Sequence, residues 1–444
     1  MRRLLPAPVT LALTCALTCL GLAGCGEEAT LPVAAGMGPE PELPAPVRTL
    51  LPTVVIAKAV GWPEGEAPEP ADGFSVNAFA TGLDHPRMIY LLPNGDVLVA
   101  ETAAPAQPGL TNSLVGRIMK LAMWWAGAGT ESPNRITLLR DANSDGVAEM
   151  RTTFLEGLNS PYGMALVDDR FYVANTDGIV SFPYEAGATN ISGTGKTIAE
   201  LPAGPINIHW VKNIHANADG TKLYATVGSN SNIGERGFEN EAGRAAIHEI
   251  DLATGASRIF ASGLRNPVGL AIHPATNTLW TVVNERDELG SDLVPDYLTS
   301  VQEDGFYGWP YSYFGDHVDT RVSPQRPDLV KKTIVPDYAL GPHTASLGLA
   351  FYDGALFPTR YQGGAFIGQH GSWNRRPPSG YKVIFVPFQN GSPAGMPEDI
   401  LTGFLSEDGK AYGRPVGVAE DKTGALLVAD DVGNTIWRVT PLLE

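Results

Sequence analysis

Beyond residue 25 the chain has no cysteine: its three are Cys15, Cys19 and Cys25. With Cys15 and Cys19 inside an apolar leader, no disulfide can form within the remainder of the chain. Acidic residues are also missing locally. There is no Asp or Glu from Gly354 to Pro397, although 48 acidic residues in 444 predict about five in such a window. Arg360, Arg375, Arg376 and Lys382 all fall there, and QHGSWNRRPPSGYK (369–382) is purely cationic. Helical periodicity is nearly absent outside 116–127, which excludes a helical bundle. A basic excess is lacking too: the net charge of -17 excludes a nucleic-acid binder and argues against electrostatic adhesion to anionic lipid. An anionic partner must be met locally.

The leader itself is informative. A short basic MRR precedes the apolar LLPAPVTLALTCALTCLGLAG, too short for a membrane span and ending in small residues before Cys25. LAGC (Leu22 to Cys25) resembles the lipobox of bacterial lipoproteins, which implies a signal peptide over 1–24, lipidation of Cys25 and an exported protein facing the periplasm or cell exterior; ordinary signal cleavage with an incidental cysteine is the alternative. Residues 25–72, rich in Pro, Glu and Ala, read as an extended tether.

From about Gly73 one sentence recurs: GLDHPRMIYLLPNGDVLVAET (82–102), EGLNSPYGMALVDDRFYVANT (156–176), HWVKNIHANADGTKLYATVGS (209–229), SGLRNPVGLAIHPATNTLWTVVNE (262–285), LGLAFYDGALFPTRYQGGAFIGQ (347–369) and YGRPVGVAEDKTGALLVADD (412–431). Each copy has a Gly- or Pro-marked start, an apolar strand, a polar turn and a β-branched strand. Six copies predict an all-β, six-bladed β-propeller over 73–442, whose loops converge on one axial site.

Polar residues stand where these inner strands begin: His209, Arg265 and Asn266 in GLRNP, and Arg414 in YGRPVG. Fixed guanidinium groups meeting at the hub, with something from the 369–382 loop, would form a cationic cup suited to a ligand with several carboxylates. A separate cluster, DANSDGVAE (141–149), sets Asp141, Asn143 and Asp145 before Gly146 like the first half of a calcium loop. Glu149 stands at position nine, but Thr152 at position twelve rules out an EF-hand, and such clusters also make plain turns.

GLRNPVGLAIHP, NERDELGSDLVPDYL, EDGFYGWPY, FIGQHGSWNRRPPSGYKV and GRPVGV together resemble bacterial sorbosone dehydrogenases, within the soluble aldose dehydrogenases that use pyrroloquinoline quinone (PQQ). The resemblance implies PQQ on the propeller axis, an activating Ca²⁺, a sugar or sugar-aldehyde substrate, and a separate electron acceptor such as a quinone or cytochrome. It makes His209 the general base, with a non-catalytic channel histidine as the alternative; His215, six residues on, reads as packed or surface. Arg265 and Asn266 become quinone contacts, against a structural Arg265 bridging blades. Arg414 becomes a carboxylate-binding residue.

The remaining cation aligns loosely. Arg375 is the first choice, Lys382 in GYKVIFVPF could face solvent, and Trp373 either stacks on a flat ring or packs in the propeller. The implied calcium falls on NERDELGSD, through the backbone oxygens of Glu285 and Arg286 ahead of Asp287 and Asp292. Glucose dehydrogenases have Gly-Pro where this chain has Arg286-Asp287, which leaves the coordinating atoms open. Two other readings stand beside this one: a Ca²⁺-dependent propeller lactonase or hydrolase, which would centre on inward carboxylates, and a non-enzymatic surface-binding propeller.

Overall fold

The computed structural model describes residues 26–49, 52–106 and 114–442, with backbone only over 114–119. The leader and Cys25 lie outside the described residues. Among those described, no helix is long and apolar enough to cross a membrane.

Six antiparallel sheets form the blades of a β-propeller. Their inner strands are Pro86–Leu91, Met164–Val167, Ile214–Ala216, Asn266–Ile272, Ser346–Phe351 and Pro415–Glu420 for blades 1 to 6, so each recurring sequence copy supplies one. Second strands such as Val97–Glu101 and Leu426–Asp430 are buried along their whole length. The alternating apolar side chains of adjacent blades therefore fuse into shared cores, one holding Phe154, Phe171 and Leu98 and another Trp280, Ile367 and Leu298.

Glycine sets how closely the blades converge. Gly163, Gly269, Gly348 and Gly417 each follow the residue that faces the hub. A Cβ on any of them would collide with the next blade's inner strand, at Ile214, Leu347, Val416 and Arg87 respectively. The hub-facing residues just before them, Tyr162, Val268, Leu347 and Val416, join Trp210 and Val211 in an apolar cluster that plugs the axis. In blades 1 and 3 the corresponding places are taken by Arg87 and Lys212, both buried.

The ring closes by pairing the two ends of the propeller: Phe74–Ala80 runs antiparallel to Thr435–Pro441 as the outer strand of blade 6. Such closure removes exposed sheet edges.

The stretch expected as an extended tether is instead laid on the propeller over much of its described length. Met37–Gly38 pairs with Tyr338–Pro342 of blade 4, and Glu69–Pro70 with Glu398–Thr402 of blade 5. The Trp62 indole donates to Asp430 at 2.7 Å. Composition suggested an unbound linker; backbone hydrogen bonding at sheet edges, invisible to composition, holds it. This strap crosses the mouth, the end of the axis where inner strands begin. The helix Leu114–Trp125, an insert between the second and third strands of blade 1, lies on the same face.

Candidate functional site at the mouth of the hub

β-Bulges mark the first residues of four of the six inner strands, between Pro86 and Met88, Pro267 and Leu270, Ser346 and Gly348, and Pro415 and Val418. A bulge re-aims the side chains beside it, and here it delivers polar groups to the mouth above the apolar plug.

His209 is positioned by its own ring. Nδ1 donates to the Ser229 carbonyl at 2.7 Å, with the Ser229 hydroxyl at 3.1 Å. That fixes the tautomer and leaves the Nε2 lone pair without a partner among the described residues. Burial, and then the nearby Arg265 guanidinium, hold the imidazole well below its ordinary pKa. A neutral base with a free nitrogen results. A Cβ on Gly228 would strike both the His209 Cβ and the Asn266 side-chain oxygen, so that glycine is what lets the two residues meet.

Arg265 is buried beside them, but its fork is occupied. It donates to the Glu285 carbonyl at 2.7 Å and the Asn232 side-chain oxygen at 3.0 Å, and pairs with the Asp287 carboxylate at 3.0 Å. Trp309 of the YGWP motif buttresses the arrangement by donating to the Asn232 carbonyl at 2.8 Å. Asp296, raised by burial to about 7, accepts from the Glu285 and Ser346 backbone N–H groups at 3.0 Å each and fixes the loop beneath.

On the far side of the mouth Arg414 lies 4.8 Å over the Tyr381 ring and donates to the His370 carbonyl at 3.2 Å, with no carboxylate partner among the described ion pairs. Beside it sits a group that sequence reasoning missed. Asp431 takes Arg87 at 2.7 Å and His370 Nε2 at 2.9 Å, with His85 Nε2 at 3.5 Å. Its positive and hydrogen-bonding neighbours outweigh burial and hold its carboxyl far below the usual aspartate range, while burial lowers His370 to about 4. Arg87 also lies over the Trp210 ring at 5.8 Å, which links this group to the His209 side. The Lys212 side chain is buried with its Nζ facing only carbonyls, the nearest that of Trp210 at 3.2 Å, and burial lowers its pKa strongly. Aligning the copies at their glycines would have flagged both cations, since Arg87 and Lys212 occupy places where four copies put an apolar or aromatic residue.

Several expected site residues lie elsewhere. Arg375 is buried under the strap, donating to the Leu31 carbonyl at 3.1 Å with Asp292 at 3.4 Å. Lys382 pairs with Asp399 at 2.6 Å, on the outer blade surface rather than at the hub. The cationic loop thus serves mostly to hold the strap. Trp373 is 47% exposed on the rim of a cavity of about 290 Å³ that Asp287, Asn374 and strap residues such as Thr53 share. His215 lines a separate channel of about 490 Å³ further along the inner strands.

In the 284–292 loop, two of the oxygens expected to hold calcium already have partners. The Glu285 carbonyl and the Asp287 carboxylate are engaged by Arg265, and Asp287 also accepts from Asn374 at 2.7 Å. The Arg286 side chain turns away into a buried network with Glu285, Asp319 and the Pro310 and Ser312 carbonyls. Asp292 accepts from Thr30 and Leu31. At 141–149, the oxygens of Asp141, Asp145 and Glu149 lie within 4.8 Å of one another. They already accept from the loop's own N–H groups: Asp141 from Ser144 and Gly146, Asp145 from Val147, and Glu149 from Ala142, while the Asn143 amide oxygen accepts from Asp145. That is the geometry of a self-closed turn.

The donor set at the mouth suits a flat polycarboxylate such as PQQ. The floor is apolar and aromatic, and Arg414, Lys212 and Arg87 rim it. Four buried polar atoms there have no partner: Asn266 Oδ1, Arg87 Nε, Arg414 Nε and the Tyr162 hydroxyl. Each such orphan costs about 1–3 kcal/mol, so their convergence marks a place for a polar group. Two carboxylates at the mouth, Asp431 and Asp287, are each capped by arginine.

Comparison with known proteins agrees with this architecture. A family model described as TrAA12-like matches residues 132–304 and 326–441. The chain belongs to the TrAA12-like family. Among curated proteins, an uncharacterized protein of Borreliella burgdorferi is 31% identical over 297 residues, covering 65% of this chain and 77% of that one. The pyrroloquinoline quinone-dependent pyranose dehydrogenase of Coprinopsis cinerea is 25% identical over 440 residues, covering 84% of this chain. The TrAA12-like chain spans about half, 55%, of that relative's length.

In solved structures, the PQQ domain of the Coprinopsis cinerea enzyme in its holo form superposes with a TM-score of 0.68 at 21% identity, covering 87% of this chain and all of that one. A calcium structure of the Trichoderma reesei family AA12 enzyme gives 0.67 at 19%, covering 88% and 99%. The soluble aldose sugar dehydrogenase of Escherichia coli gives 0.57 at 16%, covering 83% and 100%. At these identities the structural likeness carries the fold.

Proposed function

We propose that this chain is a PQQ-dependent dehydrogenase that oxidises a sugar or sugar aldehyde of the sorbosone or aldose type and passes the electrons to a separate acceptor, a quinone or a cytochrome. One arrangement carries the reading: a neutral His209 with Nε2 free, beside Arg265 and Asn266, over an apolar floor bordered by Arg414, which has no carboxylate partner among the described ion pairs, and by Arg87, whose partner is Asp431. The names borne by the Coprinopsis cinerea and Escherichia coli relatives support it.

PQQ, when bound, supplies a two-electron oxidant able to take hydride from a carbinol carbon. The chain's own residues do the rest. Arg414, Arg87 and Lys212 bind carboxylates, and their fixed positions orient a planar ligand over Trp210. His209 Nε2 takes the hydroxyl proton of the substrate. Arg265, locked by Asp287 and Asn232, presents positive charge beside His209 and keeps it unprotonated. Asn266 Oδ1 offers an acceptor to a ring N–H or hydroxyl. The strap and the plug exclude water, which strengthens each of these contacts. Calcium is not part of this reading, because Arg265 engages two of its expected donors, the Glu285 carbonyl and the Asp287 carboxylate. The leader and Cys25 add an exported, lipid-anchored location.

The test is reconstitution of the protein with PQQ, followed by dye reduction over a panel of aldoses and sugar aldehydes. Turnover that requires PQQ and is lost in His209→Ala supports the reading. Failure to develop a quinone absorption band on mixing overturns it in favour of a binding propeller.

A further inference from the structure

The helix Leu114–Trp125 is mostly apolar, yet its large apolar side chains from Leu121 on are exposed. Leu121 is 63% exposed, Trp124 65%, and Trp125 and Met123 45% and 42%. Soluble proteins rarely leave two neighbouring tryptophans in water unless something covers them. Beside the helix, the strap adds Val54 and Val60, 49% and 46% exposed. Lys58 stacks over the Trp125 ring at 5.0 Å. Gly127, just past the helix, packs beside Ala59 and Val432, so helix and strap form one rim on the mouth face.

The segment that carries the helix is locally basic in an acidic molecule. From Thr102 to Thr130 there is no Asp or Glu, and Arg117 and Lys120 are the only charges. Overall charge argues against an anionic surface, but salt screens charges beyond about 10 Å, so the groups touching the surface decide. Tryptophan with leucine and methionine, flanked by lysine and arginine, is the composition of a helix that lies in a membrane interface.

We propose that the helix Leu114–Trp125 and the strap at 54–60 seat the mouth of the propeller on an anionic phospholipid surface. The helix lies in the plane of the interface with Trp124 and Trp125 among the headgroups and Lys58 at the lipid phosphates. This docking holds whether or not the site below is a dehydrogenase, and it needs no covalent lipid.

The test uses the chain from Gly26 onward, so that neither leader nor lipid contributes. It is sedimented with vesicles of phosphatidylcholine, with and without about one quarter phosphatidylglycerol. Binding to the anionic vesicles is expected, falling about tenfold or more in Trp124→Glu/Trp125→Glu and on raising NaCl from about 0.1 M to about 0.5 M. Lys58→Glu should lose the preference for phosphatidylglycerol, and it carries the test if the double variant melts early. A protein that stays in the supernatant, or a double variant that binds equally, overturns the proposal. So does a concentration-dependent dimer, seen without vesicles, that the double variant abolishes, because a second copy would then be the occupant.

Discussion

The Arg265 guanidinium rests on the Glu285 carbonyl at 2.7 Å, on the atom that a calcium ion was expected to use. Cation and guanidinium compete for one oxygen, and for the Asp287 carboxylate beside it. In cofactor-free protein, Arg265→Met should therefore bind Ca²⁺ about tenfold or more tightly than the unaltered chain, read by isothermal titration calorimetry. Equal affinities would show that the ion goes elsewhere.

Proton removal by His209 sets the acid limb of the pH profile. Burial and Arg265 disfavour its imidazolium, so the ring stays neutral to a pH below its ordinary 6.5. In the reconstituted protein kcat/KM should hold as pH falls past neutrality and drop only on the acid side of that value. Replacing Arg265 by Ala removes positive charge and should move the limb upward. His209→Gln should cost about 10²- to 10⁴-fold in kcat. A limb unmoved by Arg265→Ala would assign it to another group.

Arg414 and Arg375 separate the hub from the strap. Arg414→Ala removes a charged donor at the mouth and should weaken PQQ binding about 10- to 100-fold. Arg375→Ala should leave that affinity within about twofold while raising hydrogen exchange at residues 29–33, because Arg375 grips the Leu31 carbonyl. Quinone absorbance titration and exchange mass spectrometry give the two readouts. The reverse pattern would return Arg375 to the site.

Asp431 is the buried anion that Arg87 and His370 share. Asp431→Ala leaves an uncompensated guanidinium and should destabilise the fold by about 3–5 kcal/mol at neutral pH. Because the folded pKa is depressed, this contribution is complete above the ordinary aspartate range and declines as pH falls from about 4 toward the lower folded value. Denaturant melts at neutral and acid pH should show that narrowing; a deficit independent of pH would mean packing, not charge, is lost.

The propeller is readable because its copies repeat locally: a marked start, a strand, a turn and a strand lie within about 20 residues of one another. His209, Arg265, Asn266 and Arg414 are readable for the same reason, being polar breaks at fixed places in that repeat. Arg375 is not. Its partner Asp292 is 83 residues away, and no local pattern tells a cation that faces a ligand from one that faces a distant carboxylate. Asp292 itself reads as a metal ligand in the sequence, whereas its partners are the backbone N–H groups of Thr30 and Leu31. The strap misleads in the same way, since sheet-edge pairing depends on where the partner edge lies and not on Pro and Glu content.

Pairing Phe74–Ala80 with Thr435–Pro441 also dictates when the molecule can become whole. A nascent chain emerging from the ribosome can fold five blades, but Phe74–Ala80 must wait for the last strand made. Until synthesis is complete both partners remain bare, so a premature stop anywhere before the final strand yields an unsealed ring with two sticky margins, a substrate for proteolysis and not a weaker version of the finished protein.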